Sequence, residues 1–349
     1  MGKAKAKTSK KKTTGKKTRR KRRGAKPEPW YYRPLDLLDV EWRLWLVRIF
    51  GGLTVGAIAL SLLGYLGTFN FLFDLAAHFK VQYCAVGCFC LIIFGLIKNY
   101  RWAMLSMLCI LLNLTVILPW YLPVSQPVQD QPLRVFLANV NVNNPNYDQA
   151  IALITEEKPD LVAILETNRQ WLQELQVIEP YLPFSLVSPR AEGFGIALYS
   201  RFPLKGVTIE PPVADKDYHL VANLSIQGRP ITLVVMHPPP PKDPTLTEFR
   251  NRELQIIGNY VAGVGQSAIV VGDLNTTMWS PFYQRFARQA RLRNSRLGFG
   301  ILPTWPSMLP PLYIPIDHCL VSSDIEVTNT RTGSDIGSDH LPVITDLRL

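Results

Sequence analysis

Cysteine is scarce in this chain, with five in 349 residues. Cys84, Cys88, Cys90 and Cys109 lie in apolar segments, and Cys319 is alone in the C-terminal half. That half therefore has no disulfide framework. Cys88 and Cys90 lack the spacing and polar partners of a zinc site, so the cysteines read as structural. Acid is missing from residues 1–26, which hold 14 Lys and Arg. Taking these from the formal net charge of +11 leaves −3 for the remainder, so the basic character belongs to a tail. Beyond residue 132 no long basic stripe occurs. This argues against strong duplex binding, which sets Lys and Arg against many phosphates. Charge of either sign is absent from Ile49 to Phe73, a run longer than the roughly 20 residues that span hydrocarbon. A cleaved signal peptide is not expected, because this first apolar run starts far from the N-terminus and is too long.

What is present divides the chain. The tail, "KAKAKTSKKKTTGKKTRRKRRGAK", has no apolar period and is expected to be disordered. Its charge suits a cytoplasmic topology signal, and also contact with anionic lipid or nucleic acid. Two further uncharged runs follow, Val81 to Ile97 and Trp102 to Pro123. Trp42, Trp45, Trp102, Trp120 and Tyr121 sit near the ends of the runs, where amphipathic rings prefer a membrane interface. The expectation is a tail and pre-membrane segment over 1–41 and a transmembrane region over 42–123. Its three helices are placed at about 46–68, 80–97 and 102–123. A polar, Pro-rich linker over 124–132 and one soluble domain over 133–349 complete the chain. Three spans in an inner or plasma membrane, with the tail and the "KNYR" turn inside, put the soluble domain on the outer, extracytoplasmic face. The second run is short, and losing it would leave that domain in the cytoplasm.

In the soluble part, short runs rich in Val, Ile and Leu each end on a polar residue of particular chemistry. "LRVFLA" ends at Asn139, "DLVAIL" at Glu166 and "ITLVVM" at His237. "SAIVVG" ends at Asp273, with Asn275 two residues on, and "LYIPI" ends at Asp317. Ser338, Asp339 and His340 precede a last apolar run. Helical patterns at Tyr147–Lys158, Asn168–Val177 and Thr245–Val264 separate several runs, and elsewhere strand follows strand. The pattern predicts an α/β fold of two packed mixed β-sheets flanked by helices, a four-layer sandwich. If the strand ends converge, Glu166, Asp273 and Asp339 bring three carboxylates together. Such a group stays ionised when a cation joins it, and oxygen ligands point to Mg²⁺, with Mn²⁺ as an alternative. His340 would lie beside the ion with its tautomer fixed by Asp317, and His237 is a second imidazole.

The pieces "FLANVNVNN", "PDLVAILE", "GFGIALYSRFPL", "VVMHPPPP", "VVGDLNTT", "PIDHCLVSS" and "GSDHLPV" resemble, in order, the endonuclease/exonuclease/phosphatase superfamily. "TWPSMLPPLYIPIDH" and the Pro run resemble a bacterial subgroup with N-terminal membrane helices. The resemblance implies a phosphate-ester hydrolase. Glu166 would be the main metal ligand, with Asn139 beside it and Asp339 completing the metal region. Asp273 would orient or deprotonate the attacking water, and Asn275 would bind the phosphate. His237 would contact the phosphate on the leaving-group side, and His340, held by Asp317, would act in acid–base catalysis. Asn141 replaces an acid found in some members, which argues against a second tightly held metal.

Other polar residues have plainer readings. His318 should point to the opposite face of its strand from Asp317 and is read as structural, as is His219. Asn141, Arg250 and Arg252 are candidate substrate-binding residues, the two arginines lying on a helix with a solvated helix face as the alternative. "PPPPK" is expected to be a rigid segment at the site mouth or a loop support. The expected substrate is a phosphate ester of nucleic acid, a lipid head group or an inositol phosphate. The competing class is a non-catalytic membrane protein that binds a partner through the same fold. A missing ligand would favour it, and none of the main positions is lost.

Overall fold

A computed structural model describes residues 40–123, 133–207 and 218–349 of the chain. Most of the expected tail and pre-membrane segment, and the linker, lie outside the described residues.

The first described part is helical. Helix α1 (Val40–Leu63) leads through a tight turn to the short α2 (Phe71–Ala76). A single 3-10 turn, Ala77–Phe79, follows, and then α3 (Lys80–Leu96) and α4 (Tyr100–Ile117). The first helix stops earlier than the uncharged run, at Gly64. A Cβ there would lie 2.8 Å from the backbone of Ala77, so glycine lets the chain fold back against the turn that follows α2. Asn70 then starts α2 by accepting a hydrogen bond from Leu72 N at 2.9 Å. Among the described residues, three stretches are long and apolar enough to cross a membrane: Trp42–Leu66, Phe71–Leu96 and Tyr100–Tyr121.

The second part is an α/β sandwich. Its strands are β1 (Leu133–Asn139), β2 (Leu161–Leu165), β3 (Phe184–Ser188), β4 (Ile196–Ser200), β5 (Lys205–Val207) and β6 (His219–Ile226). They continue with β7 (Arg229–Met236), β8 (Ser267–Asp273), β9 (Leu292–Asn294), β10 (Asp317–Ser322), β11 (Glu326–Thr332) and β12 (Val343–Arg348). The helices are α5 (Tyr147–Glu157), α6 (Arg169–Glu174), α7 (Pro244–Gly263) and α8 (Pro281–Gln289). One sheet has the order β11-β12-β1-β2-β4-β3 and the other β5-β6-β7-β8-β10-β9, both mixed.

Alternate side chains of a strand face opposite ways, and both faces here are apolar. Val135 and Leu137 of β1 join Leu233, Val235, Ile269 and Val271 between the sheets. Phe136 and Ala138 turn outward under α5 and Trp171. Val234 and Val270 turn outward under α7 and α8, with Leu254, Ile257 and Phe286. Continuous apolar runs are what strands covered on both faces require.

One expected element differs. "LYIPI" is not a strand ending at Asp317; Asp317 opens β10 instead. The run keeps only an isolated bridge between Ile314 and Trp305. Pro310, Pro311 and Pro315 supply no backbone N–H for a ladder. Because β10 is antiparallel to β8, its first residue still meets the last residue of β8.

Candidate active site

Strand register brings the polar ends together. β1 and β2 run parallel with Asn139 opposite Leu165, so Glu166 emerges beside Asn139. β7 and β8 run parallel with Met236 opposite Gly272, which sets His237 beside Asp273. Gly272 allows this approach, since a Cβ there would meet Met236 O at 1.9 Å. Asp273 pairs directly with Asp317 across β8 and β10. The turn before β12 is tied in by Ser338 Oγ, which donates to Asn139 O at 2.8 Å.

The side chains then form one connected group. Asn139 Nδ2 donates to Glu166 Oε1 at 2.9 Å and to Asp273 Oδ2 at 3.2 Å. Asn141 Nδ2 donates to Asp339 Oδ1 at 2.8 Å, and Trp305 Nε1 to Asp339 Oδ2 at 3.1 Å. Asp273 Oδ2 lies 3.6 Å from His237 Nε2 and 3.7 Å from His340 Nε2. His340 Nδ1 is 2.8 Å from Asp317 Oδ2. Asn275 N donates to Asp273 Oδ1 at 2.9 Å, and its side-chain amide donates to Pro238 O at 2.9 Å. Glu166, Asn141 and Asn275 have φ of 63°, 58° and 49°. This left-handed backbone is unfavourable for Glu, and three such residues in one group mark a site whose surroundings hold it in place.

Charge in this group is strongly biased. Burial alone would raise the pKa of Asp273, but His340 and His237 outweigh it and hold the carboxyl below its usual range. Burial would likewise lower His340, yet the carboxylates of Asp317 and Asp273 outweigh it and raise its pKa to about 10. His340 is therefore a cation clamped between carboxylates.

The donor set fits a hard divalent cation. Glu166 and Asp339 line the same pocket as Asp273, with few sulfur or nitrogen donors among them. Atoms of Asp273, Asp317 and His340 also lie within 4.8 Å of one another. In that trio His340 Nδ1 is already taken by Asp317 Oδ2 at 2.8 Å. The Glu166–Asp339 side of the pocket is the better place for an ion.

The pocket has a volume of about 570 Å³. It collects Glu166, His237, Asp273, Asn275, Asp339 and His340, while Asn139 and Asp317 support it from behind. Pro240, Pro241 and Lys242 of the "PPPPK" run lie at its wall. The two candidate arginines are elsewhere. Arg250 is wholly buried, and its guanidinium is bound by Asp74 at 2.5 Å, by Asn251 Oδ1 and by Asn275 O, so it is not free to take a substrate phosphate. Arg252 lines a separate cleft of about 920 Å³ beside residues 67–71. His318 is buried and reaches Thr276 O at 2.9 Å and Asn294 Nδ2 at 2.9 Å, which holds the segment after Asn275. His219 is buried against Glu253 at 2.6 Å.

Sequence reasoning missed one wall. Leu75, His78 and Phe79, from the helical part, line the same pocket. His78 Nδ1 meets Thr277 Oγ1 at 3.1 Å, and Gln82 Nε2 donates to Tyr313 O at 2.9 Å. Asp74, His78 and Lys80 interrupt an otherwise apolar stretch, and that interruption was the available signal.

Comparison with known proteins bears on the family and the fold. A sequence model described as the Endonuclease/Exonuclease/phosphatase family matches residues 137–340, more than half of the chain. No curated protein matches the chain. A structure of an endonuclease/exonuclease/phosphatase from Beutenbergia cavernae DSM 12333 is 20% identical with a TM-score of 0.52, covering 63% of this chain and 72% of that one. The structure of D. rerio TDP2 complexed with single strand DNA product is 15% identical with a TM-score of 0.53, covering 63% of this chain and 100% of that one. An endonuclease/exonuclease/phosphatase from Bacteroides vulgatus is 17% identical with a TM-score of 0.51, covering 63% and 100%. At these identities the likeness is one of fold.

Proposed function

Because the chain belongs to the endonuclease/exonuclease/phosphatase family, we propose that it is a membrane-anchored, divalent-metal-dependent phosphoesterase whose catalytic domain is residues 133–349. The observation that carries this reading is the single pocket into which separate strand ends deliver Glu166, His237, Asp273, Asn275, Asp339 and His340.

The residues divide the work by their environment. Asp273 is held ionised between two imidazoles, so it can accept the proton of a water attacking phosphorus in line. His340 is held protonated by Asp317 and can donate to a phosphate oxygen and then to the departing alkoxide. His237 Nε2 faces the same carboxylate from the end of the neighbouring strand β7 and is the second donor to the phosphate. Asn275 is fixed by Pro238 O and Asp273, ready to orient the phosphate. Glu166, Asp339 and the side-chain oxygen of Asn139 would hold Mg²⁺ or Mn²⁺, which would supply charge neutralisation at the phosphate oxygens and the leaving group. Fixed charges aimed at developing charge are the main source of rate in such a site.

Three stretches have the length and composition of spans. Arg43, Lys98 and Arg101 gather at the bundle end remote from the pocket. Together with the basic tail, this excess of positive charge supports a reading with that end in the cytoplasm and the catalytic domain on the other side.

A second reading takes single-stranded nucleic acid as the ester, motivated by the TDP2 structure with its single strand DNA product. The test is a substrate panel on the full chain in detergent, with and without Mg²⁺, beside Asp273→Ala and His340→Ala. Metal-dependent turnover lost in both variants supports the assignment. Turnover that survives either substitution, or no Mg²⁺ binding by calorimetry, would sink it.

A further inference from the structure

The polar end of the pocket is the one already described; the opposite end has been given no role. Leu75 and Phe79 come from the helical bundle and Ile314 and Ile316 from a loop of the α/β sandwich, while Phe194 and Trp305 lie beside the imidazoles of His237 and His340. The first four make an apolar wall facing the carboxylates and imidazoles. His78 also lines the pocket, and its buried Nε2 has no hydrogen-bond partner among the described residues. Lys242 is the one Lys or Arg among the described lining residues, against Glu166, Glu192, Asp273 and Asp339. Among the described lining residues, the several phosphates of a polynucleotide would meet few basic side chains.

The rim is apolar as well. Met308 is 87% exposed, and Leu309 and Leu312 are half exposed in the loop that carries Trp305 and Ile314. Gln82 ties that loop to the first turn of α3 through Tyr313 O. Exposed large apolar groups on such a loop mark an interaction surface, and here they flank the pocket-side ends of helices suited to span a bilayer.

We infer that the active site is a composite of the α/β sandwich and the membrane bundle, and that it takes a phosphate ester of a bilayer lipid. The phosphate lies at the Glu166–Asp273–His340 end, and the lipid alcohol lies against Leu75, Phe79 and Ile314. This inference rests on the phosphoesterase reading above. In the reaction, the oxygen of water bonds to phosphorus and the P–O bond to one alcohol breaks. That alkoxide takes up one proton and the attacking water gives one up, so nothing is oxidised or reduced.

The test uses the full chain in nanodiscs with three probes: phosphatidylglycerol and phosphatidic acid in the bilayer, methyl p-nitrophenyl phosphate, and a single-stranded oligonucleotide. Asp273→Asn should abolish turnover of every substrate; if it does not, the phosphoesterase reading fails first. The paired substitution Leu75→Ser with Phe79→Ser should lower kcat/KM on the lipid ester by about tenfold or more, the scale of lost apolar pocket contact. The smaller methyl aryl ester should lose clearly less than the lipid ester, and an unchanged melting midpoint reports a folded centre. An independent measurement uses wild-type protein and p-nitrophenyl alkyl phosphates of growing chain length, whose KM should fall with length. A flat series overturns the inference, as does preferred turnover of the oligonucleotide. An equal loss on lipid and methyl aryl esters in the paired variant, with a flat series, assigns the wall to stability alone.

Discussion

Asp74 and Arg250 form the sharpest test of how the two parts of the chain fit. Neither has exposed surface. Arg250 donates to Asp74 Oδ2 at 2.5 Å, and Ser280 Oγ donates to Asp74 Oδ1 at 2.6 Å. Asp74→Ala leaves a guanidinium buried without its counter-charge. Breaking such a pair costs about 3–5 kcal/mol. Arg250 keeps Asn251 Oδ1 and Asn275 O as acceptors, so the lower end applies, about 3 kcal/mol. For a part of this size each kcal/mol moves the melting midpoint by roughly 2–4 °C, which gives a fall of about 6–12 °C. The assay is thermal unfolding in nanodiscs followed by tryptophan fluorescence. Asp74→Leu with Arg250→Met removes both charges and should recover most of the loss, because apolar replacement of a buried pair is often neutral. A fall below about 2 °C for Asp74→Ala, or a double variant no better than the single, would refute the reasoning.

Other outcomes follow from the site itself. Asp273→Asn should lower kcat by about 10²–10⁴-fold while the melting midpoint stays within a few degrees. Chelation should remove turnover, and Glu166→Gln should weaken Mg²⁺ binding measured by titration calorimetry. His318 gives a pH signature. Burial, with Arg296 beside it, pushes its pKa from 6.5 down to about 3. The unfolded chain therefore binds a proton that the folded chain refuses, so this stabilisation is whole above pH 6.5 and is lost as pH falls towards 3. His318→Gln can keep a donor to Thr276 O and an acceptor for Asn294, so its stability should fall less steeply across that window. Parallel slopes for the two proteins would show that His318 does not titrate in this way.

Much of the α/β part was legible because its strands announce themselves twice. β1, β2, β7 and β8 are short apolar runs that stop at a polar residue, and register alone then makes their ends meet. Asp317 was legible as a site residue but not as the start of a strand. Its antiparallel pairing with β8 makes a strand start and a strand end equivalent at that edge. Helices α5, α6 and α7 lie within a residue or so of their expected starts, with Asn168 and Asp243 capping α6 and α7 through side-chain oxygens, while α8 was not expected. Arg250 was misplaced because its environment is made by a residue 176 positions away. Sequence spacing shows that an arginine lies on a helix, and says nothing of what another part of the chain lays over it. The pocket wall was missed for the same reason. Leu75 and Phe79 look like any apolar residues near a span until the fold turns them towards His237 and Asp273.

That contact implies that the sandwich is incomplete when cut from the bundle. A fully buried arginine is stable only with its partner, and the partner of Arg250 lies outside the sandwich. The segment after Asn275 is held from the bundle at three further points. His78 meets Thr277, Asp74 accepts from Ser280, and Trp279 Nε1 donates to Val116 O at 3.1 Å. The next loop is held too, with Gly298 N and Gly300 N donating to Trp120 O at 3.1 and 2.8 Å. A fragment of residues 133–349 would expose these groups and loosen the stretch that carries Asn275. Amide exchange in residues 275–280 should therefore be faster in the fragment than in the full chain. Exchange across β1 and β8, whose backbone pairs run to neighbouring strands, should change far less. Equal protection of residues 275–280 in both proteins would mean that the sandwich holds its own site. The bundle would then be an anchor and not a wall.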